Sequence, residues 1–258
     1  MDAQRLRALG LVVDAGEPGR PIRITLGRAA AAALAPPAPP ESVDCAGAAP
    51  VESLLRELEY AVVDVETTGG SYLRGHRITE IAAVRLRGDG TVVDEYRSLV
   101  NPERPIPPFI SSLTSITWDM VRDAPRFVQV AGEVARVLRG AVFVAHNAPF
   151  DWRFVSAELG RAGVPITGRT LCTVRLARMV VPEVRSRSLD SLSWFFDIPN
   201  EARHRAWGDA AATAEVLRRL LARLDAMEVA RWSELERLLR QRAKRKKRRA
   251  SPHSATEA

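Results

Sequence analysis

The pattern of apolar and polar positions is clearest in the middle of the chain, where it predicts strands first and then alternating helices and strands. The apolar, β-branched run at 61–65 is typical of a central strand, and the runs at 78–86 and 91–100 flank the turn R-G-D-G. These three segments predict a three-stranded antiparallel meander. The next segments are predicted to be a helix over 124–138 and a fully apolar fourth strand at 141–145.

After that strand the pattern predicts three helices, a short strand and a last long helix. The helices are expected over 151–162, 173–181 and 189–196, the strand near Thr170, and the last helix from Asp209 onward. The proline-rich segment P-E-R-P-I-P-P predicts an irregular crossing after the meander. This order indicates an α/β fold with a mixed central sheet, made of the meander and parallel strands, flanked by helices.

Four regions separate by composition. Residues 1–34 predict a short helix, a strand at R-I-T-L and an alanine-rich helix, and we assign them no function. Residues 35–56 are rich in proline and alanine, which predicts a semi-rigid linker and not a packed element. The main domain is expected over 57–225. Residues 226–258 are predicted to continue the helix and then to form a basic, disordered tail, the helical part having an apolar face of Leu235, Leu238 and Leu239.

The positive charge of the chain is concentrated in that tail. The whole chain has a net charge of +7, whereas residues 231–249 contain ten Lys or Arg and two Glu, a net charge of +8. The rest of the chain therefore has a net charge of −1. A basic run is commonly a solvated extension, but it can also hold phosphate backbones through counterion release, and both interpretations stay open.

Composition excludes several classes of protein. The two cysteines, Cys45 and Cys172, form no C-x-x-C pair, which argues for a reducing compartment and against a disulfide scaffold or structural zinc site. The apolar runs are too short to cross a bilayer, so we expect no membrane partner. The composition, rich in Ala, Arg and Val, looks bacterial, and the expected location is the cytoplasm.

Four acids and one histidine are the candidates for chemistry. Asp64 and Glu66 lie two apart on a predicted strand, so both side chains leave the same face of the sheet. By themselves they could simply extend into water at a strand end. Asp151 and Asp209 each coincide with the predicted start of a helix, where Asp is a favoured N-cap residue. His204 precedes Asp209 by five residues.

The joint pattern of these residues resembles one family. D-x-E on a first strand, F-D at a middle helix and H-x-x-x-x-D at a late helix are similar to the DnaQ-like exonucleases of the DEDDh type. That group includes the proofreading epsilon subunit of bacterial DNA polymerase III. The resemblance covers about residues 58–225, including V-N-P-E-R-P-I-P-P-F-I, L-T-S-I-T and L-C-T-V-R-L-A-R.

The resemblance implies a ribonuclease H-like fold and two divalent metal ions, Mg²⁺ or Mn²⁺. The metal ligands and catalytic carboxylates would be Asp64, Glu66, Asp151 and Asp209, with His204 as the general base. Independently of the family, four carboxylates brought together repel one another, which predicts raised pKa values. Hard oxygen ligands favour Mg²⁺ or Mn²⁺, and an imidazole titrates close enough to neutral pH to accept a proton from water.

The resemblance also implies an activity: 3′-5′ exonuclease action on single-stranded or frayed DNA, releasing nucleoside 5′-monophosphates in proofreading or DNA repair. Two alternatives stay open. Exoribonucleases of the same family share the five residues, and a non-catalytic nucleic-acid-binding protein could retain the fold. We find no Q-x-x-L-x-F-like clamp-binding segment, so the sequence gives no sign of stable attachment to a polymerase, although such an association stays open.

Three threonines are the predicted substrate-binding residues. By resemblance, the backbone at Thr67 and Thr68 would hold the 3′-OH of the terminal nucleotide, although the hydroxyl of Thr67 could equally cap the turn. Thr114 lies in T-S-I, where relatives often have Gly before the Ile and commonly His before that Gly. The loop that contacts terminal bases is therefore expected to differ here. Asn147 and Phe150 are expected to orient and underlie the neighbouring acid.

Overall fold

The computed structural model describes residues 11–14, 23–26, 42–199 and 203–250, in two compact units, 1–40 and 41–258. The first unit contains an antiparallel pair of strands, β1 (Leu11–Asp14) and β2 (Arg23–Leu26). The predicted strand at R-I-T-L is confirmed as β2, and β1 was not predicted. The two helices predicted in this region lie outside the described residues.

The second unit is built on a five-stranded mixed sheet. The strands of this unit are β3 (Val43–Cys45), β4 (Glu59–Thr67), β5 (Ile78–Arg87), β6 (Val92–Leu99), β7 (Val142–Ala145), β8 (Ile166–Gly168) and β9 (Thr170–Cys172). The order in the large sheet is β6-β5-β4-β7-β9. β4, β5 and β6 are antiparallel neighbours, whereas β7 and β9 join parallel to β4. The predicted meander and mixed sheet are confirmed.

Helices follow the meander and alternate with the later strands. They are α1 (Pro108–Thr114), α2 (Trp118–Val121), α3 (Phe127–Leu138), α4 (Ala148–Arg161), α5 (Thr173–Val180), α6 (Leu189–Phe196), α7 (Ala206–Ala226) and α8 (Trp232–Ala250). Two short 3₁₀ turns lie at Leu55–Glu57 and Tyr72–Arg74. The irregular crossing predicted at P-E-R-P-I-P-P is confirmed over 102–107, and the helices α1 and α2, which were not predicted, follow it. In the described part of the chain, none of the helices has the length and apolarity that crossing a membrane needs.

Two apolar clusters cover the two faces of the sheet. Residues 60 and 62 of β4 belong to the cluster with α5, α6 and α7, and residues 61, 63 and 65 belong to the cluster with α3 and α4. Because side chains alternate along a strand, Asp64 and Glu66 continue the face that α7 covers. The small residues Ala206 and Ala210 are fully buried there, which lets the start of α7 lie close to the sheet.

Two boundary predictions are corrected. Residues 35–56 were expected to be a linker without a packed element, but Val43 and Cys45 are fully buried and β3 pairs in parallel with β8. The linker prediction is therefore wrong for β3, whose three residues are too few to give a periodic signal. The tail was expected to be disordered, but the structure makes it helical through Ala250, while 251–258 lie outside the described residues. The apolar start of α8 is confirmed, with Trp232 and Leu235 buried.

Candidate active site

Three of the predicted acids meet at one end of the sheet. Asp64 and Glu66 project from the last part of β4, and Asp209 faces them from the first turn of α7. One carboxylate oxygen from each of the three lies within 4.8 Å of the others. All three side chains are partly accessible, so the group can be reached from solvent.

Asp151 approaches the same strand from α4. Its side chain is 3% exposed, and its carboxylate accepts a backbone hydrogen bond from Val65. Helix α4 begins at Ala148, and its N-cap is Asn147 in the left-handed conformation (φ 78°). Asp151 therefore lies one turn inside the helix, and its interpretation as the N-cap is wrong.

Asp209 is also inside its helix and not at the cap. Helix α7 begins at Ala206, three residues before Asp209, with Arg205 as the N-cap residue. The backbone N–H of His204 donates a hydrogen bond of 3.2 Å to Oδ2 of Asp209. His204 has a left-handed backbone (φ 58°) and an exposed side chain, so its imidazole is free to meet a ligand from solvent.

Burial raises the pKa values of three of these acids, and repulsion by neighbouring carboxylates adds to the rise for Asp64 and Glu66. Burial raises the pKa of Asp64 well above its usual range, and the charges of Asp151, Glu66 and Asp209 raise it further. Burial, followed by the charge of Asp209, raises the pKa of Glu66 to about 8. Burial likewise raises the pKa of Asp151 to about 8, although backbone hydrogen bonds lower it. The predicted raised pKa values are confirmed for these three acids, and they indicate a site that lacks positive charge.

The threonines that were predicted to bind substrate have buried hydroxyls with internal partners. Thr67 donates to the carbonyl of Gly69 at 2.9 Å, as the turn-capping alternative requires. The hydroxyl of Thr68 accepts from the backbone N–H of Arg77 at 3.1 Å. Thr114 donates to a carbonyl one turn earlier in α1 at 3.0 Å. Substrate binding by these residues stays a prediction, and at Thr67 and Thr68 any contact would come from the backbone.

An open groove lies beside these residues. It has a volume of about 520 Å³ and is bounded by Gly70–Leu73 on one side and, on the other, by Asn147, Pro149, Phe150, Arg153 and Phe154. Leu73 is 80% exposed, and the Phe150 ring packs against Phe154 with centroids 5.0 Å apart. Arg153 is exposed on the same side. The groove therefore combines apolar surface with a cationic side chain.

A second histidine near the site has a structural role. His146 is hydrogen bonded at both ring nitrogens, through Nδ1 to the hydroxyl of Thr173 at 2.8 Å and through Nε2 to the carbonyl of Arg187 at 2.9 Å. Burial lowers the pKa of this imidazole, which favours the neutral form. Its ring therefore connects the end of β7 to the loop before α6.

Sequence analysis missed Glu80. This residue lies on β5 directly opposite Glu66, is 6% exposed and forms a bidentate ion pair with Arg205. Its role depends on strand register and on a partner 125 positions away, so no local pattern could have indicated it.

The sheet topology and the acidic group define a ribonuclease H-like nuclease fold, and comparison with known proteins gives the family. A family model of exonucleases matches residues 61–217. The chain belongs to this exonuclease family, the DnaQ-like group that the sequence pattern resembles.

Relatives and solved structures agree with this assignment. The 3′-5′ exonuclease DinG of Bacillus subtilis strain 168 is 37% identical over 185 residues, covering 71% of this chain and 20% of that protein. A DNA polymerase III subunit epsilon-like protein of Rhodobacter capsulatus is 41% identical over 178 residues, covering 68% of this chain and 25% of the relative. The chain thus spans a quarter or less of these two proteins.

The structure of Exonuclease X in complex with 5′ overhanging duplex DNA is similar over most of its length. It is 30% identical, with a TM-score of 0.52, and the match covers 63% of this chain and 91% of that chain.

Proposed function

We propose that the protein is a metal-dependent 3′-5′ exonuclease that acts on single-stranded or frayed DNA ends and releases nucleoside 5′-monophosphates. The proposal rests chiefly on the group of Asp64, Glu66 and Asp209, whose carboxylate oxygens lie within 4.8 Å of one another. Asp151 adds a fourth buried carboxyl beside Asp64. Grouped acids around a partly open site are the donor set that phosphoryl-transfer enzymes use to hold cations.

The residues present fit divalent cations. Burial raises the pKa values of Asp64, Glu66 and Asp151, and the negative charge of neighbouring acids raises those of Asp64 and Glu66 further, a repulsion that bound cations would relieve. Carboxylate oxygens are hard ligands and favour Mg²⁺ or Mn²⁺. We assign two such ions to Asp64, Glu66, Asp151 and Asp209. When bound, they supply the positive charge that stabilises the attacking and leaving oxygens at phosphorus.

In this proposal His204 takes the proton from the attacking water. Its imidazole is exposed, and its backbone N–H bonds to Asp209, which holds the His204 backbone next to one of the proposed metal ligands. The backbone at Thr67 and Thr68 would receive the terminal nucleotide, with Thr114 beside its base. The strand behind the terminal nucleotide would follow the groove past Leu73 and Arg153, an apolar side chain for bases and a guanidinium for phosphate.

DNA is the proposed substrate because the similar Exonuclease X was solved with duplex DNA, and the two curated relatives are named as an exonuclease and a polymerase III subunit. Proofreading or DNA repair is the role proposed for the activity. A location in the bacterial cytoplasm and any association with a polymerase stay predictions.

The test is an exonuclease assay on matched DNA and RNA oligonucleotides with Mg²⁺ or Mn²⁺. With a 5′ label, we expect a ladder of products that shorten from the 3′ end, with DNA cleaved faster than RNA. Asp64→Ala should lower the rate by several orders of magnitude with the fold retained, because it removes a metal ligand and also a carboxyl that the neighbouring acids repel.

The exposed acid Asp119 on α2 provides the matched control, since its side chain is 80% exposed and forms a surface ion pair with Arg122. Asp119→Ala should degrade DNA at the wild-type rate. Absence of any ladder from folded wild-type protein at every metal concentration would overturn the proposed activity, and faster cleavage of RNA would overturn the choice of DNA.

A further inference from the structure

Glu80 is an acid that touches the candidate site without belonging to its metal-binding group. It faces Glu66 across the β4–β5 pair, and its charge raises the pKa of both Glu66 and Asp64. An acid in this position could be a fifth metal ligand or could have a different task. Its hydrogen bonds decide between the two.

Both oxygens of Glu80 are occupied by donors from the start of α7. Arg205 donates from Nε to Oε2 at 3.0 Å and from Nη2 to Oε1 at 2.7 Å. The backbone N–H of Ala206, the first residue of α7, donates to Oε2 at 3.0 Å. A carboxylate with three donors, one of them a guanidinium, has little capacity left for a cation.

The start of α7 has no capping side chain of its own. Arg205 is the N-cap residue and makes no side-chain cap hydrogen bond, although the first N–H groups of a helix need acceptors. Glu80 supplies the acceptor from the neighbouring sheet. His204 directly precedes Arg205, and Asp209 lies in the first turn of α7. The three hydrogen bonds to Glu80 therefore fix both residues relative to β5 and Glu66.

We propose that Glu80 is a positioning residue, which acts through Arg205 and the first turn of α7 to hold His204 and Asp209 at the acids of β4. The effect of this positioning on turnover rests on the proposed exonuclease function. A displacement of a reacting group by 1 Å can lower the reaction rate about 10²-fold. Weakening the contact between Glu80 and the start of α7 should therefore slow turnover without abolishing nucleic-acid binding.

The first test is Glu80→Gln, which keeps the shape of the side chain but replaces one acceptor oxygen by a donor. At least one of the three bonds is lost, because the new NH₂ must face Arg205 or Ala206 N–H. We expect kcat to fall about 10- to 100-fold, KM for a DNA oligonucleotide to change by less than about 3-fold, and the metal stoichiometry in calorimetry to stay that of the wild type.

Glu59→Gln is the matched control. Glu59 on β4 pairs with Arg85 on β5, at the opposite end of these strands from the acids, so this change removes a Glu–Arg ion pair of the same sheet without touching α7. Its kcat should stay within about 2-fold of the wild type. The positioning role would be overturned if kcat in Glu80→Gln were unchanged, or fell no more than in the control. It would also be overturned if the variant bound one metal ion fewer, because Glu80 would then be a metal ligand.

Amide hydrogen exchange separates this inference from the proposed activity. In Glu80→Gln the amides of residues 206–209 should exchange faster, whereas those of α3 should not change, because only the first turn of α7 loses its acceptor. This readout needs no substrate. If the wild-type protein is inactive, the exonuclease proposal falls, but the exchange experiment still tests whether Glu80 holds the start of α7. Unchanged exchange at 206–209 would show that Glu80 does not hold it.

Discussion

At the scale of single residues, the candidate site is built by two helices that begin earlier than their acids suggest. A left-handed residue stands before each, Asn147 before α4 and His204 before Arg205 and α7. The change of chain direction at each left-handed residue places the first helical turn, and not the N-cap residue, at the end of β4. Asp151 and Asp209 therefore occupy equivalent positions, each the fourth residue of its helix.

His204 is tested best by His204→Asn, because Asn tolerates the left-handed backbone that Ala would strain. The variant keeps the backbone bond to Asp209 and removes only the imidazole. We expect turnover to fall about 10²- to 10⁴-fold, the contribution of a positioned general base. Arg203→Ala, a change in the same loop, should keep the wild-type turnover. Wild-type turnover in His204→Asn would show that the imidazole is not the base.

At the scale of elements, β3 marks where the folded unit begins. Val43 and Cys45 are fully buried, and the backbone carbonyl of Asp44 accepts a hydrogen bond from the backbone N–H of Gly140. We expect a protein of residues 51–258 to unfold at a midpoint about 5–10 °C below that of residues 41–258, since each lost apolar side chain contributes about 1.5–3 kcal/mol. Thermal unfolding followed by circular dichroism measures this. Equal midpoints would mean that β3 adds no stability.

The elements that sequence could predict are those with long periodic signals. The meander, the apolar strand β7 and helices α3 to α7 follow from apolar runs or repeats, and the D-x-E pair followed from its place at the end of such a run. The three-residue strand β3 and the single-turn helix α2 are too short for any period to register. The Glu80–Arg205 pair depends on the register of β5 against β4 and on the return of α7 to the sheet, and both are properties of the assembled fold.

At the scale of the whole molecule, protonation of the site links stability to pH and metal. Glu66 and Asp151 have folded pKa values of about 8, against ordinary values of 4.5 and 3.8, so the metal-free folded state binds more protons than the unfolded state between those limits. The free energy of unfolding therefore falls as pH rises through this window. Cations that bind the ionised acids should restore it, and most strongly at the alkaline end.

We accordingly expect the melting temperature of the metal-free protein to fall by at least about 10 °C from about pH 5.5 to 8.5, given about 1.4 kcal/mol per unit of pKa shift for each of the two acids and about 2–4 °C per kcal/mol. Saturating Mn²⁺ should raise the melting temperature more at the upper pH than at the lower. In Asp64→Asn both effects should shrink, because one repelling carboxyl is gone. A metal-free melting temperature that is constant, or that rises over this range, would contradict the raised pKa values.

The separation of charge along the chain leads to the last prediction. The sequence outside 231–249 has a net charge of −1, so long-range attraction of DNA would depend on the ten Lys and Arg of that segment. The start of α8 is fixed by buried Trp232 and Leu235, and the most basic part of the segment follows it in the sequence. If this part contacts phosphates, each contact steepens the salt dependence of binding to a single strand by about 0.7 in log K against log salt.

The measurement is fluorescence anisotropy with a labelled single-stranded oligonucleotide, in the Asp64→Ala background so that no cleavage occurs. Replacing the six Lys and Arg of residues 244–249 by Gln keeps the chain length and should lower the salt slope by at least about 2, corresponding to three or more phosphate contacts. Replacing six Lys or Arg elsewhere would disturb ion pairs such as Arg85–Glu59, so the proper control is Gln at three non-basic positions, 250, 251 and 254. Parallel salt slopes for the unmodified and Gln-substituted tails would show that the basic run is a solvated extension, because counterions that are not displaced cannot contribute to binding.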